Sequence, residues 1–332
     1  MKTHRLGFLQ RGNKLASIVQ FQYALELDKH RSFSKAAKAS FVTQPTLSMQ
    51  LQKLEDEYNI ILFDRSRKPV EPTDQGIALL KQFRIVIDEF ERVAQIANSS
   101  KNLISGSYRL GIIPTIAPTI LPNFIKLFSE KYPQVETTII EMPTNEIIQN
   151  LLDSKIDAGI ASTPLEHPSL NETKLYLEPF SIFHSEKIAL KTQSNGKVKT
   201  KDLPLDKLLV LTEGNCLRTQ ALDLCAMNEM APLKHSFNIE ASSLLTLLNI
   251  VDSGDYFTIL PALSANALTT KQKNRQTKEF DGKVPCREIG FVTHRSQVKS
   301  QINSAAISVL GKILPENLLS KKSGMEIINP LT

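Results

Sequence analysis

Apolar positions in IVQFQYALELDK, residues 18–29, fall at Ile18, Phe21, Ala24, Leu25 and Leu27, a spacing that predicts an amphipathic helix. SFSKAAKASF follows, with Ser34 as the expected N-cap of a short second helix through Ala39. After FVTQ, the stretch PTLSMQLQKLEDEYNI puts Pro45 in a first helical turn and Leu47, Leu51 and Leu54 on an i, i+4, i+7 stripe. The exposed side of this third helix, toward its N-terminus, then carries Gln44, Thr46, Ser48, Gln52 and Lys53. Small polar residues of this kind suit a helix entering a major groove: Gln bonds adenine edges, Ser and Thr bond bases or phosphates, and Lys neutralises phosphate. ILFDRSRKPVEPTDQG reads as a strand, a basic tip at Arg65, Arg67 and Lys68, and a return strand. A hairpin of that form beside a helix-turn-helix is a wing, which follows the phosphate backbone or enters the minor groove. Thr73 or Asp74 caps a long helix over about 74–99, with Ile77, Leu80, Ile87, Phe90, Val93 and Ala94 along one side. Ser34, Pro45 and Thr73 complete the expected DNA-binding set.

From Ser107 the periodicity changes. YRLGIIPT reads as a strand ending in a turn, 118–132 as a helix, VETTIIEM as a strand, TNEIIQNLLDSKID as a helix and AGIAS as a buried strand. This alternation predicts a doubly wound α/β sheet with sites at the carboxyl ends of its strands. A second cycle runs through DKLLVLTEGN, a helix from Cys216, HSFNIEA, the helix SSLLTLLNIVDSG and FTILP, and the chain returns at REIGFVTH. The expected fold class is α/β: a winged helix-turn-helix over 18–73, a linker and dimerisation helix over 74–104, and a two-lobed α/β effector domain over 105–316. Residues 1–17 and 317–332 are expected to be flexible tails.

A length of 332 residues suits two or three domains, and 41% hydrophobic with 22% charged residues is a soluble, globular composition. No apolar run approaches the roughly 18 residues that span a bilayer. The basic start MKTHRLGFLQRGNKLA lacks the apolar core of a secretory signal, so a cytoplasmic location without membrane contact is expected. The net charge of +6 is front-loaded, a distribution that fits a polyanionic partner. Motifs for phosphate loops (GxGxxG, GxxxxGK[ST]) and for serine hydrolysis (GxSxG) are missing. The six histidines, at 4, 30, 167, 184, 235 and 294, show no metal-binding spacing. No metal and no cofactor are expected, which leaves the thiols as the candidate chemistry.

EGNCLRTQALDLC, residues 213–225, holds two of the three cysteines. Read as a helix over 216–230 with Gly214-Asn215 as turn and N-cap, it puts Cys216 in the first turn, where free N–H groups and the macrodipole favour a thiolate. Arg218 adds a cation nearby in sequence, and Cys225 joins Leu217, Ala221 and Leu224 on the apolar stripe. A rise of about 1.5 Å per residue separates the two Cα atoms by roughly 13 Å, on nearly opposite sides. A disulfide needs them within about 7 Å, so it closes only if the helix gives way. Two readings stay open at this level: buried core thiols, or a redox pair whose closure rearranges the segment.

The run SKAAKASFVTQPTLSMQLQKLEDEYNIILFDRSRKPVEPTDQG resembles the winged helix-turn-helix of LysR-type transcriptional regulators, with AA, QPTLS, KLE and LF-R followed by T-x-x-G at the family's spacing. Length and layout extend the resemblance over about 18–315. It implies a homodimer built on the 74–99 helix, commonly two dimers per homotetramer, acting on double-stranded promoter DNA and on RNA polymerase. It also implies a two-lobed effector domain similar to periplasmic binding proteins, with a cleft beside Thr115, Thr144 and the Cys216 turn. EGNCLRTQ-x(4)-C, LGIIPT and REIG resemble the OxyR-type, peroxide-sensing subfamily. That resemblance implies a regulator, not an enzyme, that activates oxidative-stress genes. It further implies that hydrogen peroxide oxidises Cys216 to a sulfenic acid, that Cys225 resolves it as a disulfide, and that cellular thiol reductants reverse the change. Thr115, Thr144, Asn215 and Arg287 form the implied peroxide pocket. The chain departs from the pattern at Asn215, usually His, and at Thr219, usually Asp; Cys286 lies outside it and reads as a structural thiol. The alternatives are a LysR-type regulator that binds a small metabolite between the lobes with silent cysteines, and a thiol peroxidase, which has no use for a winged helix.

Overall fold

A computed structural model describes residues 16–99, 104–225, 241, 243–265, 268–296, 299–319 and 324–330. The chain divides into two compact units, Met1–Lys101 and Asn102–Thr332.

The first unit opens with α1 (Ile18–His30), capped by Ser17 and Gln20 in a reciprocal capping box, then α2 (Phe33–Ala39) and α3 (Gln44–Tyr58). Ser32, not Ser34, is the cap residue of α2: its backbone is extended (φ −151°, ψ 122°), whereas Ser34 already lies inside the helix and is exposed. Thr43 caps α3 and Pro45 occupies its first turn. Ala36 and Ala37 are buried, and their small side chains allow close packing around Phe21, Leu27, Leu47, Leu51 and Leu54. β1 (Phe63–Asp64) and β2 (Glu71–Pro72) form the antiparallel wing, and α4 (Asp74–Ser99) follows. The stripe expected along α4 splits. Leu80 is buried and Ile87 packs partly on the core, while Ile77, Phe90 and Val93 face solvent.

T-x-x-G has a physical explanation here. Thr73 N–H donates to the Leu62 carbonyl (3.0 Å), its hydroxyl donates to the Ile61 carbonyl (2.6 Å), and Gly76 N–H donates to that hydroxyl (2.9 Å). A Cβ at position 76 would lie 2.1 Å from the Leu62 carbonyl oxygen.

The second unit contains β3 (Gly106–Ile112), α5 (Ala117–Lys131), β4 (Val135–Glu141), α6 (Thr144–Leu152), β5 (Ala158–Thr163) and β6 (Leu170–His184). It continues with α7 (Cys216–Leu224), α8 (Leu244–Ser253), β7 (Phe257–Pro261), α9 (Ala262–Ala265), α10 (Thr270–Gln276) and β8 (Thr277–Lys278). It ends with β9 (Val284–His294), α11 (Ser300–Ile313), α12 (Glu316–Leu319) and β10 (Met325–Ile327). Strand order is β4-β3-β5-β9-β6-β7, with β10 beside β9 and β8 beside β6. β4, β3 and β5 run parallel, whereas β9 is antiparallel to both β5 and β6, so the sheet is mixed and not uniformly doubly wound.

Two apolar cores define two lobes. One gathers Tyr108, Leu110, Phe124, Ile147, Ile160 and Phe291; the other gathers Phe180, Ile182, Leu208, Val251, Phe257 and Ile259. β6 serves both: residues 170–179 pair with β9, and residues 180–184 pair with β7. DKLLVLTEGN, expected in the second α/β cycle, is not a named strand; it runs beside β7 through a single bridge, Leu208 to Phe257. HSFNIEA and the last residues of the helix expected over 216–230 fall outside the described residues, apart from Ala241, whose carbonyl accepts from Thr212 N–H (3.0 Å). Within the segment expected as a flexible C-terminal tail, residues 325–327 are paired instead. β10 lies parallel to β9, with Met325 opposite Val284 and Ile327 opposite Cys286, because β9 offers it unpaired backbone groups. No helix among the described residues is long and apolar enough to cross a membrane.

Gly76→Ala is expected to destabilise the winged unit by about 1–3 kcal/mol or more, since backbone must move to admit the methyl. Thermal unfolding of the full chain checks it; an unchanged midpoint would remove this account of the motif.

Candidate functional site

On α3 the exposed ridge is Pro45, Met49, Gln52, Lys53 and Asp56, and Thr46 and Ser48 are half-buried at its sides. Gln44 is exposed at the helix start, Thr46 Oγ1 is bonded to Thr43 Oγ1 (2.8 Å), and Gln52 donates to Asp56 (2.9 Å). Met49, 51% exposed, was not among the expected contacts; its spacing of four from Pro45 was the available signal.

The basic tip is less free than its composition suggests. Arg65 pairs with Glu55 (2.6 Å) and lies over the Phe33 ring (5.4 Å). Glu55 is buried and also accepts from Leu62 N–H (2.8 Å) and Phe63 N–H (3.4 Å), so the glutamate of KLE and Arg65 together fix the base of the wing. Arg67 is held by Glu71 (2.6 Å) and Asp64 (3.3 Å), and the hydrogen bond and charge of Glu71, followed by Asp64, keep its guanidinium above its ordinary pKa. Lys68 is exposed, with no ion pair among the described residues. Thr73 is spent on capping α4, and Ser34 shares a hydrogen bond with Ser32 (3.1 Å).

The second candidate site is built around α7. Gly214 takes φ +85°, a conformation that favours glycine, and so turns the chain into the helix. Asn215 is the N-cap residue by backbone (φ −88°, ψ 119°), yet its side chain makes no cap bond and donates instead to the carbonyl (3.2 Å) and hydroxyl (3.3 Å) of Thr212. Arg218 donates to the Leu211 carbonyl (3.1 Å), so this cation is directed to backbone. Cys216 is buried in the core of the first lobe, whereas Cys225, the C-cap residue of the same helix, is buried in the core of the second. Both thiols are free, and the helix between them corresponds to a Cα separation of roughly 13 Å at about 1.5 Å per residue. Burial pushes the Cys225 thiol up to about 12. Burial also raises Cys286 to about 11, with Lys174 lowering it and Glu288 raising it.

The cation beside Cys216 is Arg287. It is fully buried on β9; its Nε donates to Glu178 Oε2 (2.9 Å), and its Nη1 donates to Thr115 Oγ1 (3.0 Å). Nη2 sits 2.8 Å from the same Glu178 oxygen as an ion pair, without hydrogen-bond geometry, so its protons have no acceptor among the described residues. Burial opposes the guanidinium's charge, but Glu178 and then Cys216 outweigh it and leave the pKa above its ordinary value. Glu178, itself fully buried, accepts the Leu263 N–H (2.8 Å), and Ser264 donates to the Thr115 carbonyl (3.1 Å). Thr144, the first residue of α6, is buried with its hydroxyl unbonded. The structure thus gathers Thr115, Arg287 and Cys216, turns Asn215 onto Thr212, and leaves Thr144 without a hydrogen bond to the group. Glu178 and Ser264 were missed. A lone carboxylate inside the apolar run LYLEPFSIF was the sign for Glu178, because a buried charge requires a partner.

Residues 18–77 match the bacterial regulatory helix-turn-helix protein family of the LysR type, and residues 101–313 match the LysR substrate binding domain. The chain belongs to the LysR family. It is a DNA-binding transcriptional regulator, not an enzyme, and it resembles OxyR-type proteins. It is 34% identical over 250 residues to the DNA-binding transcriptional dual regulator OxyR of Escherichia coli, covering 75% of this chain and 80% of that one. The same identity and coverage relate it to the hydrogen peroxide-inducible genes activator of Pectobacterium carotovorum. A full-length OxyR cysteine-to-aspartate variant from Pseudomonas aeruginosa superposes with TM-score 0.74 at 25% identity, over 89% of this chain and 98% of that one. A peroxide-bound OxyR cysteine-to-serine variant from Corynebacterium glutamicum gives TM-score 0.57 at 27% identity, over 91% and 93%.

Lys68→Ala should weaken binding to all duplexes and flatten its salt dependence by roughly one unit of slope, whereas Arg65→Ala should mainly lower the thermal midpoint by freeing Glu55. Fluorescence anisotropy across a salt series reads the first, and an unchanged slope would remove Lys68 from the phosphate contacts. Arg287→Met, which strands a buried Glu178 carboxylate, should destabilise the second unit by about 3–5 kcal/mol, partly recovered by adding Glu178→Leu. Urea unfolding checks it; a cost under 1 kcal/mol would show that the pair does not hold the site.

Proposed function

We propose that this regulator senses hydrogen peroxide through reversible formation of a Cys216–Cys225 disulfide and controls transcription of oxidative-stress genes from promoter DNA. The observation that carries this reading is the burial of Cys216 within electrostatic reach of the buried Arg287–Thr115 pair, one intact helix away from Cys225. Peroxide has two small polar ends, and the site offers matching groups. Thr115 Oγ1 accepts from Arg287 and retains its own proton for donation, and Arg287 Nη2, ion-paired with Glu178, makes no hydrogen bond; the family resemblance adds the Thr144 hydroxyl, itself buried and unbonded.

In the first step Cys216 sulfur attacks one peroxide oxygen, the O–O bond breaks, and the departing oxygen leaves as water with a proton. The thiol becomes a sulfenic acid, and Arg287 supplies the counter-charge for the attacking thiolate. In the second step Cys225 sulfur attacks the sulfenic sulfur, an S–S bond forms and a second water leaves. Two thiols and one peroxide thereby give one disulfide and two waters. Cys225 is held protonated by burial, so this step waits for it to leave the second core. Closure then requires α7 to unwind and draws one thiol from each lobe's core, which turns a local oxidation into a rearrangement of the effector domain. Cellular thiol reductants restore the helix. Homodimers or homotetramers on DNA, acting with RNA polymerase in the cytoplasm, complete the proposal. Asn215 needs no part in proton transfer, since its amide is committed to Thr212.

One equivalent of hydrogen peroxide should consume two thiols per chain and yield a Cys216–Cys225 peptide on mapping, with Cys286 still alkylatable after unfolding. Cys216→Ser should abolish the reaction, and Cys225→Ser should stop at a sulfenic acid trapped by dimedone. Intact thiols after treatment would refute the sensor and leave a small metabolite as the effector.

A further inference from the structure

We propose that Phe41 is a DNA contact: an apolar reader that packs on the 5-methyl group of a thymine in the major groove, with Met49 as a second apolar contact on the same recognition surface. This rests on the family's helix-turn-helix and is independent of the peroxide reading.

Phe41 sits in the turn between α2 and α3, and it is 97% exposed, the highest value among the exposed large hydrophobic residues described. Its backbone is left-handed, at φ +55°. The other non-glycine residues with positive φ among those described are Arg31, Asn59, Ser154 and Glu166, none of them aromatic. The turn itself explains the backbone. Phe41 N–H donates to the Lys38 carbonyl (3.2 Å) and Val42 N–H donates to the Ala37 carbonyl (3.0 Å), a left-handed helix ending of the kind that glycine or asparagine occupies at least cost. A phenyl ring here is unfavourable twice, for its backbone and for its contact with water. Strain that persists at an exposed site points to a function supplied by a partner.

Position identifies the partner. Two residues after Phe41, Thr43 caps α3, whose N-terminal turns enter the major groove in helix-turn-helix proteins. Beside the exposed Thr43 and Gln44, Pro45 and Met49 head the exposed ridge of α3, so this surface offers apolar contacts among polar ones, and Lys35 and Lys38 are exposed on α2 just upstream. Among major-groove edges, the thymine methyl is the apolar group available to such a surface, while the lysines suit flanking phosphates.

The test uses the full chain and duplexes that it selects from a randomised pool. Phe41→Asn suits the left-handed turn and removes the exposed ring, so its thermal midpoint should rise. Its affinity for the selected duplex should fall roughly tenfold, with the salt slope unchanged, because no phosphate contact is lost. Phe41→Leu should recover most of the affinity. Replacing selected thymines one at a time by deoxyuridine, which deletes only the methyl, should weaken the wild type at one position per half-site and leave Phe41→Asn indifferent there. The proposal fails if Phe41→Asn binds like the wild type, or if it loses salt slope together with affinity. It also fails if deoxyuridine weakens both proteins equally, or if the variant changes only the oligomeric state.

Discussion

A guanidinium without solvent must find a carboxylate, and the effector domain is organised around that requirement. Arg287 and Glu178 are both fully buried, on β9 and β6, the antiparallel strands whose register sets residue 287 opposite residue 178. Each also anchors a second element: Arg287 holds the Thr115 hydroxyl at the entry to α5, and Glu178 holds the Leu263 amide at the start of α9. Such a pair adds little net stability over an apolar substitute, but it demands one arrangement, since any other leaves a charge unpaired. The polar groups nearest Cys216 are therefore fixed by the same contact that ties β6 to β9.

The proposed switch asks the opposite of α7, which must change. α7 spans only nine residues and makes no side-chain cap bond at its start. Helices of this length owe their stability to packing and little to propensity. Its packing is divided, with Cys216 in one core and Leu217, Ala221, Leu222 and Cys225 in the other. Gln220, fully buried, donates to Ser162 (3.1 Å) and to the Ile328 carbonyl beyond β10 (2.9 Å). A loss of helical geometry there would disturb both lobes and the C-terminal strand at once, which is the leverage that the proposed disulfide requires.

Legibility in the sequence followed the range of the interactions. Local ones were readable: the periodicity of 18–29, Pro45 at a helix start, the long helix from Asp74, and the separation that nine helical residues impose on two cysteines. Non-local ones were not. Glu55 and Arg65 are ten residues apart, and their pairing converts an apparent phosphate contact into a support for the wing. Glu178 and Arg287 are 109 apart, joined only by the register of β6 and β9. The pairing of 325–327 with β9 likewise depends on a strand edge that exists only after folding. Ser34 failed as a cap for a narrower reason: two serines stand two positions apart, and backbone conformation chose Ser32.

Internal ion pairing also changes how the winged unit must recognise DNA. Residues 1–70 hold an excess of cations, yet Arg65 and Arg67 are neutralised within the fold. Non-specific affinity then rests on fewer free charges than the composition implies, among them Lys35, Lys38, Lys53 and Lys68, all exposed. A surface with modest electrostatic grip depends more on short-range complementarity to distinguish one duplex from another. Apolar side chains on the recognition face suit that need, because they gain nothing from phosphate and contribute only where the groove presents a methyl to meet them. An exposed ring and an exposed thioether, costly to the isolated protein, become intelligible as specificity held in reserve until DNA covers them.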